Sequence, residues 1–166
     1  MHLLRLSGLA LIALMLFALS ACGGTDNQAS SNAQAATNET TAMSDAIEVD
    51  KPRVRAVAPG QTVTGAFMTL SNTADETITL DSAQADIAAV TELHETSMQD
   101  GVMKMQKIEN IVIPAQGQSE LKPGGLHIML INLQETPAKG DKVSITLNFA
   151  DDSSQTLEAP VMDVMK

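Results

Sequence analysis

The chain has 166 residues, of which 2% are aromatic, with neither Trp nor Tyr, three His, one Cys and ten Met. That length holds one domain of ordinary size and argues against a multidomain enzyme or a membrane channel. Ten Lys and Arg against twenty Asp and Glu give a formal charge of −10, which disfavours nucleic acid as a partner, and a single cysteine excludes an intramolecular disulfide, a Cys-x-x-Cys pair and a thiolate-rich zinc site.

Residues 1–21 read as an export signal, with Arg5 as the positive flank, an apolar run from Leu6 to Leu19, and small Ser20 and Ala21 before Cys22. The apolar run is shorter than the roughly 20 residues that cross a bilayer. Leu19-Ser20-Ala21-Cys22 resembles the bacterial lipoprotein box, which implies that Cys22 becomes the lipidated first residue of the mature protein. An ordinary signal peptide ending in a chance cysteine is the alternative. Gly23 after the cysteine, rather than Asp, implies by the same resemblance a periplasmic protein held at the outer rather than the inner membrane. Residues 22–45 then comprise the lipidated cysteine and a flexible polar linker, because a Ser, Asn, Gln, Thr and Ala tract cannot bury enough surface to offset its ordering entropy. Such a coil lets the following domain roam some tens of ångströms from its anchor.

Residues 46–166 read as an all-β domain. Strands are expected at Val63–Leu70, Thr77–Leu80, Val90–His94, Val102–Ile108, Ile111–Ile113, His127–Leu133 and Val143–Phe149. Asp100-Gly101, Pro123-Gly124-Gly125 and Lys139-Gly140-Asp141 supply the turn residues between them. Seven or more short strands without helical periodicity predict an antiparallel β-sandwich with Greek-key connections. Its core is expected to hold Phe67 and Phe149 as its aromatics.

Removal of the signal leaves two histidines, His94 and His127, and eight methionines. A two-residue turn at Asp100-Gly101 pairs residues whose numbers sum to 201. His94 then faces Lys107 and lies diagonal to Met105, while Met98 and Met103 pair directly on that same face. A slip of one residue would send His94 and Met105 to opposite faces. His127 and Met129, two apart in one strand, must point the same way. Two imidazoles and two or more thioethers make a candidate four-ligand site for a soft ion, since thioethers select Cu(I) and imidazole suits copper in either state. A blue-copper site is excluded, because it requires a cysteine thiolate and Cys22 belongs to the tether.

The order His94, ten residues, Met105, twenty-one residues, His127, one residue, Met129 resembles the signature of the PCuAC family of periplasmic copper chaperones. Glu92-Leu93-His94-Glu95-Thr96, Asp100-Gly101-Val102-Met103-Lys104-Met105 and Leu121 to Leu130 are similar to that family's characteristic stretches, and the likeness runs from Ile47 to about Val164. The resemblance implies a cupredoxin-like β-sandwich that binds one Cu(I) through His94, Met105, His127 and Met129. It also implies delivery to a copper acceptor, the copper-site subunit of cytochrome c oxidase or its assembly factor. The residues themselves argue against an enzyme, with no free thiol, no Ser-His-Asp order and too few histidines for a catalytic copper or zinc centre, and a monomer is expected. Two departures stand out. Arg53 occupies a place where the family commonly has an aromatic residue, and the C-terminus lacks the His- and Met-rich tail of some relatives.

Other roles weigh against these. A strand histidine is commonly structural, and Met68, Met162 and Met165 read as packing or tail residues. Met98 and Met103 fall outside the matched ligand set and read as core or surface filler, with rim contact or a transient copper path as the alternative. Glu92 and Glu95 flank His94 as surface charges, either of which could orient its ring or act as a hard ligand if the metal were zinc. Copper buffering or resistance, with the same site and no delivery, is the alternative function, and a metal-free interaction lipoprotein is a third.

Overall fold

Alternating apolar residues and tight turns build ten strands in the computed structural model, which describes residues 42–163. The export signal, Cys22, nearly all of the linker and Met165 lie outside the described residues. After a 3-10 turn at Met43–Ala46 come β1 (Ile47–Arg55), β2 (Val63–Asn72), β3 (Ile78–Ala85), β4 (Ala88–Gln99) and β5 (Val102–Lys107). These are followed by β6 (Ile111–Ile113), β7 (Gln118–Leu121), β8 (Leu126–Leu133), β9 (Lys142–Phe149) and β10 (Ser154–Met162). All seven expected strands are present.

The strands form a cupredoxin-like β-sandwich in the order β5-β4-β8-β7-β2-β1-β10-β9-β3-β6, with β8 also pairing β2. The pairing is mostly antiparallel, as expected, with two parallel contacts. β1 runs parallel to β10 at Val54–Val161, and β7 runs parallel to β8 at Leu121–Leu126. The first parallel pair closes the seam between the two layers. Long-range order of this kind has no signature in local sequence.

Three strands escaped the sequence pattern for identifiable reasons. β1 carries Glu48, Asp50, Lys51, Pro52, Arg53 and Arg55, and its register against β2 shifts between Asp50 and Arg53, so strict alternation is lost. β10 is polar at every second position and contains Pro160, and β7 is four residues long. Met162, expected in a tail, closes β10.

The core lies between the layers and is aliphatic, with Leu70, Leu80, Ile113, Leu130, Ile145 and Leu147 fully buried, Met68 among them and Phe149 as its aromatic. Phe67 departs from expectation. It is buried but stands on the opposite face of β2, next to His127, with the ring centroids 6.3 Å apart. Alternation forces this, because Ala66 and Met68 on either side point into the core.

Candidate metal centre

The β4–β5 hairpin forms with the register that its turn dictates. Asp100 and Gly101 have φ of 52° and 77°, the left-handed pair that a type I′ turn requires, and His94 pairs with Lys107, Thr96 with Met105 and Met98 with Met103. The Ile108 N–H donates to the Leu93 carbonyl at 2.9 Å. Odd-numbered residues of β4 are therefore the hydrogen-bonded partners of β5, and His94, Thr96 and Met98 sit at the closer, non-hydrogen-bonded positions.

On its other side β4 pairs with β8, and there His94 faces His127 directly while Glu92 faces Met129. β4 is thus the central strand of three, and His94 is the centre of the cluster. Met105 lies diagonal to His94 on the β5 side, towards the hairpin tip, and Met129 lies diagonal on the β8 side, towards the start of β4. Each thioether is a diagonal neighbour of His94, a separation that long side chains bridge. The two methionines do not neighbour each other, because their β4 partners Thr96 and Glu92 are four residues apart.

The two imidazoles are close and asymmetrically held. Their ring centroids are 5.8 Å apart. His94 Nε2 lies 2.9 Å from Glu92 Oε2, and His127 Nδ1 lies 2.9 Å from the Gly125 carbonyl oxygen. Both partners are acceptors, so in a neutral ring each bonded nitrogen carries the proton and donates, and the other ring nitrogen offers a bare lone pair. Those two atoms, His94 Nδ1 and His127 Nε2, are buried without a hydrogen-bond partner; among the described residues Gln155 Oε1 is the third such atom. An acceptor nitrogen hidden from water and matched by no donor is a cost in a purely structural histidine. It is what a metal ligand needs, with the second nitrogen fixed by an outer hydrogen bond.

The surroundings of His127, burial above all, favour its neutral imidazole. Burial holds its pKa below the ordinary histidine value, with nearby His94 and Arg55 acting in the same sense against the Gly125 carbonyl. Glu92 accepts from both His94 and the Lys107 ammonium, each at 2.9 Å, and those hydrogen bonds hold its carboxyl below the usual range. Of the two acids that flank His94 in sequence, Glu92 is the one that orients the ring. It points to the same face two residues away, whereas Glu95 projects to the other side.

Sequence reasoning missed three contributors: the Gly125 carbonyl, Phe67 and Arg53. The Arg53 guanidinium lies 5.5 Å from the Phe67 ring centroid, so the cation sits over the ring that neighbours His127. Gly65 makes room for that ring, since a Cβ there would lie 3.0 Å from the tip of Phe67. Exposure grows towards the hairpin tip. His127 is 4% exposed, Met105 54%, Met98 65% and Met103 67%.

The donor set is soft. Among the described residues no group of three or more His, Cys, Asp and Glu converges to hold an ion. Nitrogen from two imidazoles, supplemented by thioethers, suits Cu(I).

Comparison with known proteins agrees with the fold. The family described as "Putative lipoprotein LpqE-like" matches residues 47–161. A protein named "Putative lipoprotein Lxx21020" from Leifsonia xyli subsp. xyli is 36% identical over 122 residues, covering 73% of this chain and 72% of its own. The solution structure of the Cu(I) form of DR1885 from Deinococcus radiodurans is 31% identical and superposes with a TM-score of 0.60, over 77% of this chain and 87% of that one. The copper-bound PCuAC domain of PmoF2 shares the fold at 22% identity, with a TM-score of 0.61 over 72% of this chain and 94% of that domain.

Proposed function

The chain belongs to the LpqE-like lipoprotein family and has the fold of PCuAC copper-chaperone domains, and from that premise we propose that it is a lipid-anchored periplasmic Cu(I) chaperone. His94, His127, Met105 and Met129 hold the cargo ion, and Cys22 carries the lipid, with the outer membrane as the site of retention. The observation that carries this reading is the pair of facing imidazoles, each with one nitrogen fixed by an acceptor and the other buried and bare. The copper form of DR1885 supports the choice of ion.

Delivery proceeds by ligand exchange, without a redox step. The imidazoles are the fixed part of the site, locked by Glu92 and Gly125. The methionines are its exchangeable part, approaching His94 from opposite ends of β4. An acceptor thiolate or imidazole enters where one thioether leaves while the remaining ligands still hold the ion. Met105, more than half exposed, is the first to be replaced. The acceptor is a copper-site protein of cytochrome c oxidase assembly, and the long polar linker gives the domain reach towards it.

Anaerobic Cu(I) titration with X-ray absorption at the copper edge tests the site. One ion per chain with both nitrogen and sulfur scattering is the expected result, with two sulfurs if both methionines bind together. Failure to bind stoichiometrically removes the chaperone reading. Transfer of the ion to a purified oxidase copper-site domain separates delivery from storage, because a storage protein retains it.

A further inference from the structure

Every residue of β5 is exposed, and on β4 Met98 and Gln99 are exposed too, so the tip of the β4–β5 hairpin beyond buried Thr96 stands in solvent. An exposed hairpin tip favours polar side chains. This one instead presents Met98 and Met103, 65% and 67% exposed and paired directly across the strands. The hydrogen-bonding phase places them at a non-hydrogen-bonded position, where Cα atoms are only about 4.5 Å apart and side chains are closest. They flank the type I′ turn by one residue on each side, which fixes the pairing. On the opposite face Lys104 Nζ donates to Gln99 Oε1 at 2.9 Å, so the tip is polar on one side and sulfur-bearing on the other.

We propose that Met98 and Met103 form an outer Cu(I)-binding station that captures the ion and feeds it to the imidazole pair through Met105. The inference rests on the Cu(I) reading above. Two thioethers suffice for weak, soft-ion capture, and thioether sulfur discriminates against the harder cations of the same compartment. Met98 lies four residues, roughly 13 Å along β4, from His94, so the station is distinct from the central cluster. Met105 stands between them. It is two residues from Met103 on the same face of β5, diagonal to Met98 on one side and to His94 on the other. Sulfur donors therefore run in steps of one rung from the exposed tip to the buried nitrogens. The gradient of donor number and burial drives the ion inward: two exposed thioethers at the tip, then thioether and imidazole together. Each step exchanges one neutral ligand for another and leaves the ion in the +1 state.

Methionine methyl NMR of the full chain, titrated anaerobically with Cu(I), tests the station. The Met105 and Met129 methyl signals are expected to shift over the first equivalent, and those of Met98 and Met103 beyond it. A M98L/M103L variant keeps volume and apolarity at exposed positions and so keeps the fold. It is expected to lose the second phase and to fill the central site more slowly, with the same final affinity. Met98 and Met103 signals that stay still in excess Cu(I), while Met105 and Met129 move, overturn the station and leave the central site standing. Movement of Met98 and Met103 alone overturns the central site instead, and no movement at all overturns both. Equal loading rates for the variant and the natural chain overturn the feeding role.

Discussion

His94 and His127 face each other across β4 and β8 with ring centroids 5.8 Å apart, and the bare nitrogen of each ring is buried. Thirty-three positions separate them in the chain. Their partners differ in kind, a carboxylate for His94 and a backbone carbonyl for His127, and this difference makes the two ligands respond differently to substitution.

Glu92→Gln removes the anionic acceptor of the His94 N–H while leaving the strand intact. Gln can still accept from the ring but without the charge, and mutating an outer partner of this type costs about tenfold or more in metal affinity. The Glu92–Lys107 ion pair is at the surface, where such pairs contribute little to stability. Chelator competition with Cu(I) is expected to show the weaker binding, with an unfolding midpoint close to that of the natural chain. An unchanged affinity would remove Glu92 from the site.

For His127 the anchor is main chain, and pH is the probe. Its pKa is lowered from 6.5 by burial, so between that lowered value and about 6.5 the unfolded chain binds a proton that the folded chain refuses. The stabilising effect is fully present above pH 6.5 and is lost as pH falls through the window below it. Urea midpoints measured at steps from about pH 4.5 to 7.5 are expected to fall across that window, and a His127→Gln variant is expected to lose this component of the slope. Protons compete with copper at His127 at a lower pH than at an ordinary histidine, so this ligand's contribution to Cu(I) affinity is lost later as pH falls.

Met68 and Met105 separate packing from binding. Met68 is 1% exposed in the core, and Met68→Ala is expected to lower stability by about 2–5 kcal/mol through the cavity it leaves. Met105→Ala, at an exposed position on the edge strand, is expected to leave stability nearly unchanged and weaken Cu(I) binding. Chemical denaturation and chelator competition on both variants read the two effects. A large stability loss in Met105→Ala would assign that residue to packing.

Gly101 tests the hairpin. Its φ is 77° and a Cβ there would meet nothing within 4 Å, so Gly101→Ala costs only the left-handed backbone penalty, about 1 kcal/mol. Thermal unfolding is expected a few degrees lower. Fraying at the tip should weaken the Met98–Met103 pairing before it disturbs His94.

Much of the site was legible in sequence because its determinants there are local. Asp100-Gly101 fixes a two-residue turn, period-2 alternation carries that register outward, and so the shared face of His94, Met98, Met103 and Met105 follows from short-range chemistry. The same rule places Met129 beside His127. Phe67 was misplaced because an apolar residue in a strand is consistent with either face until neighbours settle the phase. Here the burial of Ala66 and Met68 settles it, and Arg53 covers the remaining ring.

By itself the sequence determined the strands with clean alternation, the turn that sets the hairpin, and the soft character of the available ligands. Tertiary structure alone decided that β4 lies between β5 and β8, that His94 meets His127, and that Glu92 rather than Glu95 holds the ring. It also decided the parallel contact of β1 with β10. The physical reason is range. Turn geometry and alternation act over a few residues, whereas strand order and the stranding of two imidazole nitrogens away from water arise only when distant segments share one packed sheet.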